Sequence, residues 1–150
     1  MEDMMTTTTD ITAYVDGGSD QNGTYAGLLL IDSHTKELLY GDGVVLNVYT
    51  NNEAEYAAVL AAIYKALDLG AKRLLVYSDS KVIVNQINGE WLVHANNLKY
   101  FYDEIKDNIR NIHFEIHWIP RQQNVIADLL SRTARVKMKN KGGENGIEAS

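Results

Sequence analysis

A chain of 150 residues that is 45% hydrophobic has room for one domain burying roughly 68–70% of the surface its unfolded form exposes; lacking cysteine, it excludes a disulfide scaffold and thiolate metal sites and fits a reducing compartment. The formal net charge of -6 argues against a protein that coats nucleic acid generally, and no apolar run nears the roughly 20 residues of a membrane span. The start MEDMMTTTTD puts acids where a signal peptide has bases and leads into no apolar stretch, so the expectation is a cytoplasmic protein with a disordered N-terminus over residues 1–10.

In chain order, ITAYVDGGS (11–19) alternates Ile11, Ala13 and Val15 with Thr12 and Tyr14 and ends in glycines, which predicts a strand running into a turn. TYAGLLLID, the turn SHTK and ELLYGDGVVL read as two further strands joined as a hairpin, with Gly41 and Gly43 pointing to a bulge. The period then changes: Tyr56, Leu60, Ile63, Tyr64 and Leu67 recur at helical spacing, and Gly70 supplies the stop. RLLVYS (73–78) predicts a short buried strand, followed by a helix from about Ser80 to Ile87 that ends at NGE and another from about Asn97 to Ile109. IHFEIHWI alternates as a strand, Pro120 breaks it, and QNVIADLLSRTARVKM predicts a last helix, with a flexible tail over 141–150. Three strands in a meander followed by helices and strands in alternation predict an α/β domain over 11–140, with a mixed sheet whose later strands join by crossovers and lie parallel.

Acids at the ends of these elements are the informative ones. Asp16 closes the first strand among residues that should be buried, Asp79 closes the fourth at its carboxyl end, where open α/β sheets place ligands, and Asp128 sits in the last helix between Ala127 and Leu129. Each has an ordinary alternative: a turn acid before glycines for Asp16, a helix cap for Asp79, and an exposed pair with Arg132 four residues on for Asp128.

The two glutamates of TNNEAEY separate by spacing. Thr50 and Glu53 make the T-x-x-E capping box, so Glu53 has a structural role. Glu55 caps nothing and shares a stripe with Val59 and Ala62, a small-residue face that can approach a sheet closely. With Glu55 inward, it could meet Asp16 and Asp79 at the ends of neighbouring strands. Carboxylates about 4 Å apart repel by roughly 4 kcal/mol per pair at an effective dielectric near 20, so such a cluster needs cations. Oxygen donors alone favour hard ions such as Mg²⁺, and two such ions on shared carboxylates suit in-line phosphoryl chemistry.

In this order, Asp16 in YVDGGS, Glu55 in TNNEAEY, Asp79 in VYSDSKVIVNQINGEW and Asp128 in PRQQNVIAD resemble ribonuclease H of type 1, over about residues 11–135. The resemblance implies a ribonuclease H-like fold, a five-stranded mixed sheet of three antiparallel and then two parallel strands flanked by helices. It further implies an endonuclease that hydrolyses the RNA strand of RNA/DNA hybrids to leave 3′-hydroxyl and 5′-phosphate ends. Asp16, Glu55, Asp79 and Asp128 would hold two Mg²⁺ ions, with Mn²⁺ as the substitute ion and Asp79 closest to the attacking water. Asn51 and Asn52 would read the minor groove, where RNA shows 2′-hydroxyls. Gly17, Gly18 and Ser19 would let backbone approach the RNA strand, helped by Asn22, and Lys81 and Trp91 would lie near the DNA strand, although Trp91 equally suits a core position. The expected protein is a monomer with no membrane and no obligatory protein partner.

Two departures from the family pattern stand out. No histidine precedes the last aspartate; Arg121 occupies that neighbourhood, as in the compact, archaeal-like branch. GEWLVHANNLKY, where many bacterial members carry a basic protrusion, contributes only Lys99. Grip on substrate then shifts to the basic segment Arg121, Arg132, Arg135, Lys137, Lys139 and Lys141, which contains one acid, Asp128; a solubilising tail is the ordinary alternative. His34, His94, His113 and His117 read as structural or solvated. Compact members also make double-stranded RNA a candidate substrate. The competing readings are a catalytically silent hybrid-binding module and another nuclease of the wider fold, the latter disfavoured by TNN and NGEW. A nucleotide-binding protein is disfavoured because no glycine-rich phosphate loop follows a strand at the required spacing.

Overall fold

Strands β1 (Asp10–Asp20), β2 (Gly23–Asp32) and β3 (Leu38–Leu46) form the expected antiparallel meander in the computed structural model, which describes residues 9–136. Helix α1 (Asn51–Asp68), strand β4 (Arg73–Ser78), helices α2 (Lys81–Ile87) and α3 (Asn96–Asn108), strand β5 (His113–Trp118), a 3-10 turn (Arg121–Gln123) and helix α4 (residues 125–136) follow. The sheet order is β3-β2-β1-β4-β5, with β4 parallel to both β1 and β5. The expectations for residues 1–8 and for the tail after residue 136, with Lys137, Lys139 and Lys141, fall outside the described residues, while Asp10 already opens β1. No described helix is long and apolar enough to cross a membrane.

The main core lies between the sheet and α1. Ile11, Ala13 and Val15 of β1, Leu74 and Val76 of β4, and Ile116 of β5 meet Tyr56, Val59, Ala62 and Ile63 of α1, all buried. Fully burying each Val, Leu or Ile contributes about 1.5–3 kcal/mol, so this single layer supplies much of the stability. The alanines Ala54, Ala58, Ala62 and Ala66 bring the helix axis close to the strands. Gly70, at a φ of 84°, ends α1 in a left-handed conformation that suits glycine.

Two local expectations are corrected. The glycines of YVDGGS do not turn the chain: β1 runs through Gly17, Gly18 and Ser19 to Asp20, paired with Ala26, Tyr25 and Thr24. The turn comes later, where the Asp20 carboxylate accepts the N–H groups of Asn22 and Gly23 at 2.8 and 3.2 Å. The bulge is not at Gly41 or Gly43 either. The register slips where Leu30 faces Tyr40 and Ile31 faces Leu38, leaving Leu39 as the extra residue.

What Gly43 provides is space for α4. Gly27 and Gly43 are direct cross-strand partners, and a Cβ at Gly27 would overlap the Ala127 carbonyl while one at Gly43 would overlap that of Leu130. This glycine furrow seats α4 against the face of the sheet opposite α1, so the two helices flank the sheet at the carboxyl end of β4 and the adjoining stretch of β1.

Candidate active site

β1 and β4 run parallel with Val15 opposite Ser78, so the residues that follow, Asp16 and Asp79, lie side by side. Alternation along β1 turns Gly17 towards α1, and Asp16 and Gly18 towards α4. A Cβ at Gly17 would overlap the Ala54 carbonyl; its absence lets the first turns of α1 touch β1. Gly17 N–H then donates to Glu55 Oε1 at 2.6 Å, a buried contact. Asp16, Glu55 and Asp79 thereby offer carboxylate oxygens within 4.8 Å of one another. From the other side α4 brings Asp128, close enough that its charge helps to push the Asp16 carboxyl up. Asp128 stands beside the group of three and also pairs with Arg132 at 3.1 Å, so the surface-pair alternative holds together with its place in the site.

The four acids line a cleft of about 270 Å³ with Gly17, Gly18, Asn51, Arg121, Arg132 and Arg135. Burial, followed by the charges of Asp79 and Asp128, pushes the Asp16 carboxyl up to about 7. Burial, followed by the charge of Asp16, pushes Glu55 up to about 8, against the opposing Gly17 N–H bond. Arg121, on the exposed 3-10 turn, lowers both, but less than the acids raise them. Asn124, at the entrance to α4 and 1% exposed, donates Nδ2 to the Val15 carbonyl at 2.8 Å and to Asp79 Oδ2 at 3.1 Å. Its Oδ1 is buried with no hydrogen-bond partner. Oxygen donors without sulfur or imidazole, and carboxyls that resist ionising together, fit a hard divalent cation such as Mg²⁺.

The ordinary alternatives for the other acids resolve. Asp79 caps nothing, because Ser80 is the cap of α2 and accepts the Ile83 N–H. Glu53 is the capping-box acid, accepting from Thr50 N–H at 2.9 Å while Thr50 Oγ1 accepts from Glu53 N–H at 3.1 Å. Both glutamates are buried, yet their expected responses differ. Glu53→Gln should lower Tm slightly and leave activity in place, since glutamine still completes the box. Glu55→Gln should raise Tm above neutral pH, where a buried charge is removed, and depress activity. Thermal melts and a cleavage assay on the two variants check this, and exchanged effects would contradict the helix phase.

Of the other predicted residues, Gly17, Gly18, Asn51 and Arg121 line the cleft; Ser19 and Asn52 lie next to lining residues, while Asn22 sits at the exposed β1–β2 turn. Trp91 is 48% exposed, which removes the core alternative, and borders a separate hollow with Leu92, Val93, Lys99 and Tyr102. Lys81 Nζ stands 4.5 Å over the ring of Trp118, whose indole N–H donates to the Asp79 carbonyl at 3.1 Å. The histidines are away from the cleft: His34 pairs with Asp10, His113 and His117 flank Glu115, and His94 is exposed. Arg132 and Arg135 of the basic segment also line the cleft, while Asn124 and Trp118 were not singled out from the sequence. For Asn124 a signal existed: it lies four residues before Asp128, on one helical face.

The model of the family described as Reverse transcriptase-like matches residues 14–134. The bifunctional protein Rv2228c of Mycobacterium tuberculosis is 34% identical over 125 residues, which is 79% of this chain and 34% of that protein; the chain thus spans about a third of its length. The N-terminal RNase H domain of Rv2228c has the same fold, with a TM-score of 0.82, 28% identity, and coverage of 90% of this chain and 99% of that one. RNase H1 of the halophilic archaeon Halobacterium salinarum NRC-1 gives 0.80, 27%, 85% and 98%. LC11-RNase H1, solved in complex with RNA/DNA hybrid, gives 0.78, 28%, 85% and 98%. By sequence match across most of its length and by fold, the chain belongs to the reverse-transcriptase-like family, within its type 1 ribonuclease H branch.

Proposed function

We propose that this chain is an endonuclease that hydrolyses the RNA strand of RNA/DNA hybrids, leaving 3′-hydroxyl and 5′-phosphate ends. The observation that carries the reading is the convergence of Asp16, Glu55 and Asp79, from two strands and a helix, to within 4.8 Å. Asp128 completes the set from α4. These residues would hold two Mg²⁺ ions, or Mn²⁺ in their place. Bound there, the ions would supply an activated water and stabilise the leaving oxygen.

The chain's own residues select and orient the substrate. Asn51, in the cleft, and its neighbour Asn52 present amides suited to the 2′-hydroxyls of an RNA minor groove. Gly17 and Gly18, bare of side chains, let the first turn of α1 and the Arg135 side chain close on β1 next to the acids, where a sugar-phosphate strand would pass. Lys81, held over Trp118, and Trp91 on the neighbouring hollow offer a cation and an aromatic surface to the DNA strand. Asn124 and the Trp118 indole hold Asp79 by its carboxylate and its carbonyl. The hybrid-bound state of LC11-RNase H1 supports this substrate class. A silent binding module is disfavoured, because binding alone gives no reason to bury acids against their own repulsion.

The test is one panel: hybrid, duplex RNA and single-stranded RNA, each with Mg²⁺ and with Mn²⁺, with product ends mapped. The proposal expects the RNA of the hybrid to be cut with 3′-hydroxyl ends, single-stranded RNA to survive, and duplex RNA, with its similar geometry, to be cut more slowly. A hybrid that is bound but stays intact with both ions would establish the silent module instead.

A further inference from the structure

The side chain of Arg135 reaches over β1 at Gly18 to the Tyr25 ring, near enough to Asp20 for its charge, after the Asn22 N–H bond, to help hold that carboxyl down. Its Nη2 lies 2.7 Å from where a Cβ on Gly18 would stand, and its guanidinium carbon sits 5.5 Å from the centre of the Tyr25 ring. That ring is fully buried and fixed, its hydroxyl donating to Asp20 Oδ1 at 3.0 Å. The same Asp20 oxygen already takes the Asn22 and Gly23 N–H groups. Among the described residues no carboxylate lies within 4.0 Å of the Arg135 guanidinium, and its Nε is buried without a hydrogen-bond partner. Arg132, by contrast, is paired with Asp128.

Resting on the proposed hybrid cleavage, we infer that Arg135 is a phosphate-binding residue for the RNA strand: stacked on Tyr25, it presents its outer nitrogens at Gly18 to a phosphodiester lying beside the acid cluster. The physical demand is plain. Four acids at one cleft in a chain of net charge -6 repel a polyanion, and a fixed guanidinium offers planar, charge-assisted hydrogen bonds to phosphate at little conformational cost, because its ring support is rigid. It acts on binding of the strand and takes no part in bond breaking.

The experiment compares wild type, Arg135→Gln and Arg135→Lys in the full chain, by steady-state cleavage of a hybrid and by hybrid binding against salt in an Asp79→Asn background. Arg135→Gln is expected to raise KM about tenfold, the low end for a charge-assisted contact, with kcat within a factor of about two, the pattern of lost uniform binding. Its plot of log Kd against log salt should be shallower by about one. Arg135→Lys should regain the slope but only part of the affinity, lacking the planar fork. Wild type that cleaves hybrid while Arg135→Gln keeps its KM and its slope would overturn the inference and spare the proposed function; wild type that neither binds nor cleaves hybrid would remove the function itself. Should Arg135→Gln fail to fold, Arg135→Lys decides: weakened affinity with the wild-type slope supports the assignment, and unchanged affinity overturns it.

Discussion

Asp79→Asn is expected to reduce hydrolysis of hybrid RNA by about a thousandfold or more while leaving the far-UV circular dichroism unchanged. The size follows from what a bound cation contributes to a phosphoryl transition state, several kcal/mol of charge stabilisation, with each 1.36 kcal/mol worth about a factor of ten. The fold should survive because the substitution conserves shape. Asn124 Nδ2 still finds an oxygen on the new amide, the Trp118 indole binds the unchanged backbone carbonyl, and one negative charge leaves a cluster whose oxygens lie within 4.8 Å. At that spacing each removed repulsion is worth roughly 3 kcal/mol at an effective dielectric near 20, before screening by water. The folded variant should therefore melt no lower than wild type in the absence of divalent ions. Undiminished cutting by the folded variant would refute the role given to Asp79.

The second large effect concerns pH and metal together. Asp16 and Glu55 have carboxyls pushed up to about 7 and about 8, whereas in an unfolded chain both titrate near pH 4. A carboxyl with a raised folded-state pKa binds its proton more tightly when folded. Its contribution to stability is complete below about pH 4 and is lost as pH rises through about 7 and 8. In chelator the protein should thus melt lower at pH 8.5 than at pH 5.5, by about 5 °C, the shift of roughly 2 kcal/mol in a domain of this size. This is well short of the full linkage, because Asp16 is only partly buried and water screens it. Millimolar Mg²⁺ should restore the loss at pH 8.5 and change little at pH 5.5, where protons hold the site instead. A Tm that rises with pH in chelator, or a Mg²⁺ effect equal at both pH values, would contradict the repulsion on which the site is built.

Much of this was legible in the sequence because it depends on local rules. The capping box separated Glu53 from Glu55, and helix phase then aimed Glu55 at the sheet, where Gly17 N–H receives it. That the later strands lie parallel followed from the change of period after the third strand. What stayed hidden depends on contacts between distant segments. Gly17 and Gly18 look like a turn when only their neighbours are considered, but they keep the strand open for the Ala54 backbone and the Arg135 side chain. Gly43 likewise reads as a bulge until α4 is seen to lie on it. Asn124 shares a helical face with Asp128, but its importance arises because the start of α4 falls beside Val15 and Asp79, the former 109 residues away in the chain. Trp118 matters for the same reason, through a carbonyl 39 residues away.

The most direct measurement is a titration of the ¹⁵N-labelled protein with Mn²⁺ near pH 7.5, read as paramagnetic broadening of individual amides. If the separated acids meet to hold cations, the first signals lost should be those around the cleft, Gly17, Gly18, Ser80 and Asn124 among them, and Asp79→Asn should need far more Mn²⁺ for the same loss. Broadening that starts at the His113–Glu115–His117 surface, or that leaves the cleft amides sharp, would mean that the acids converge for some reason other than metal.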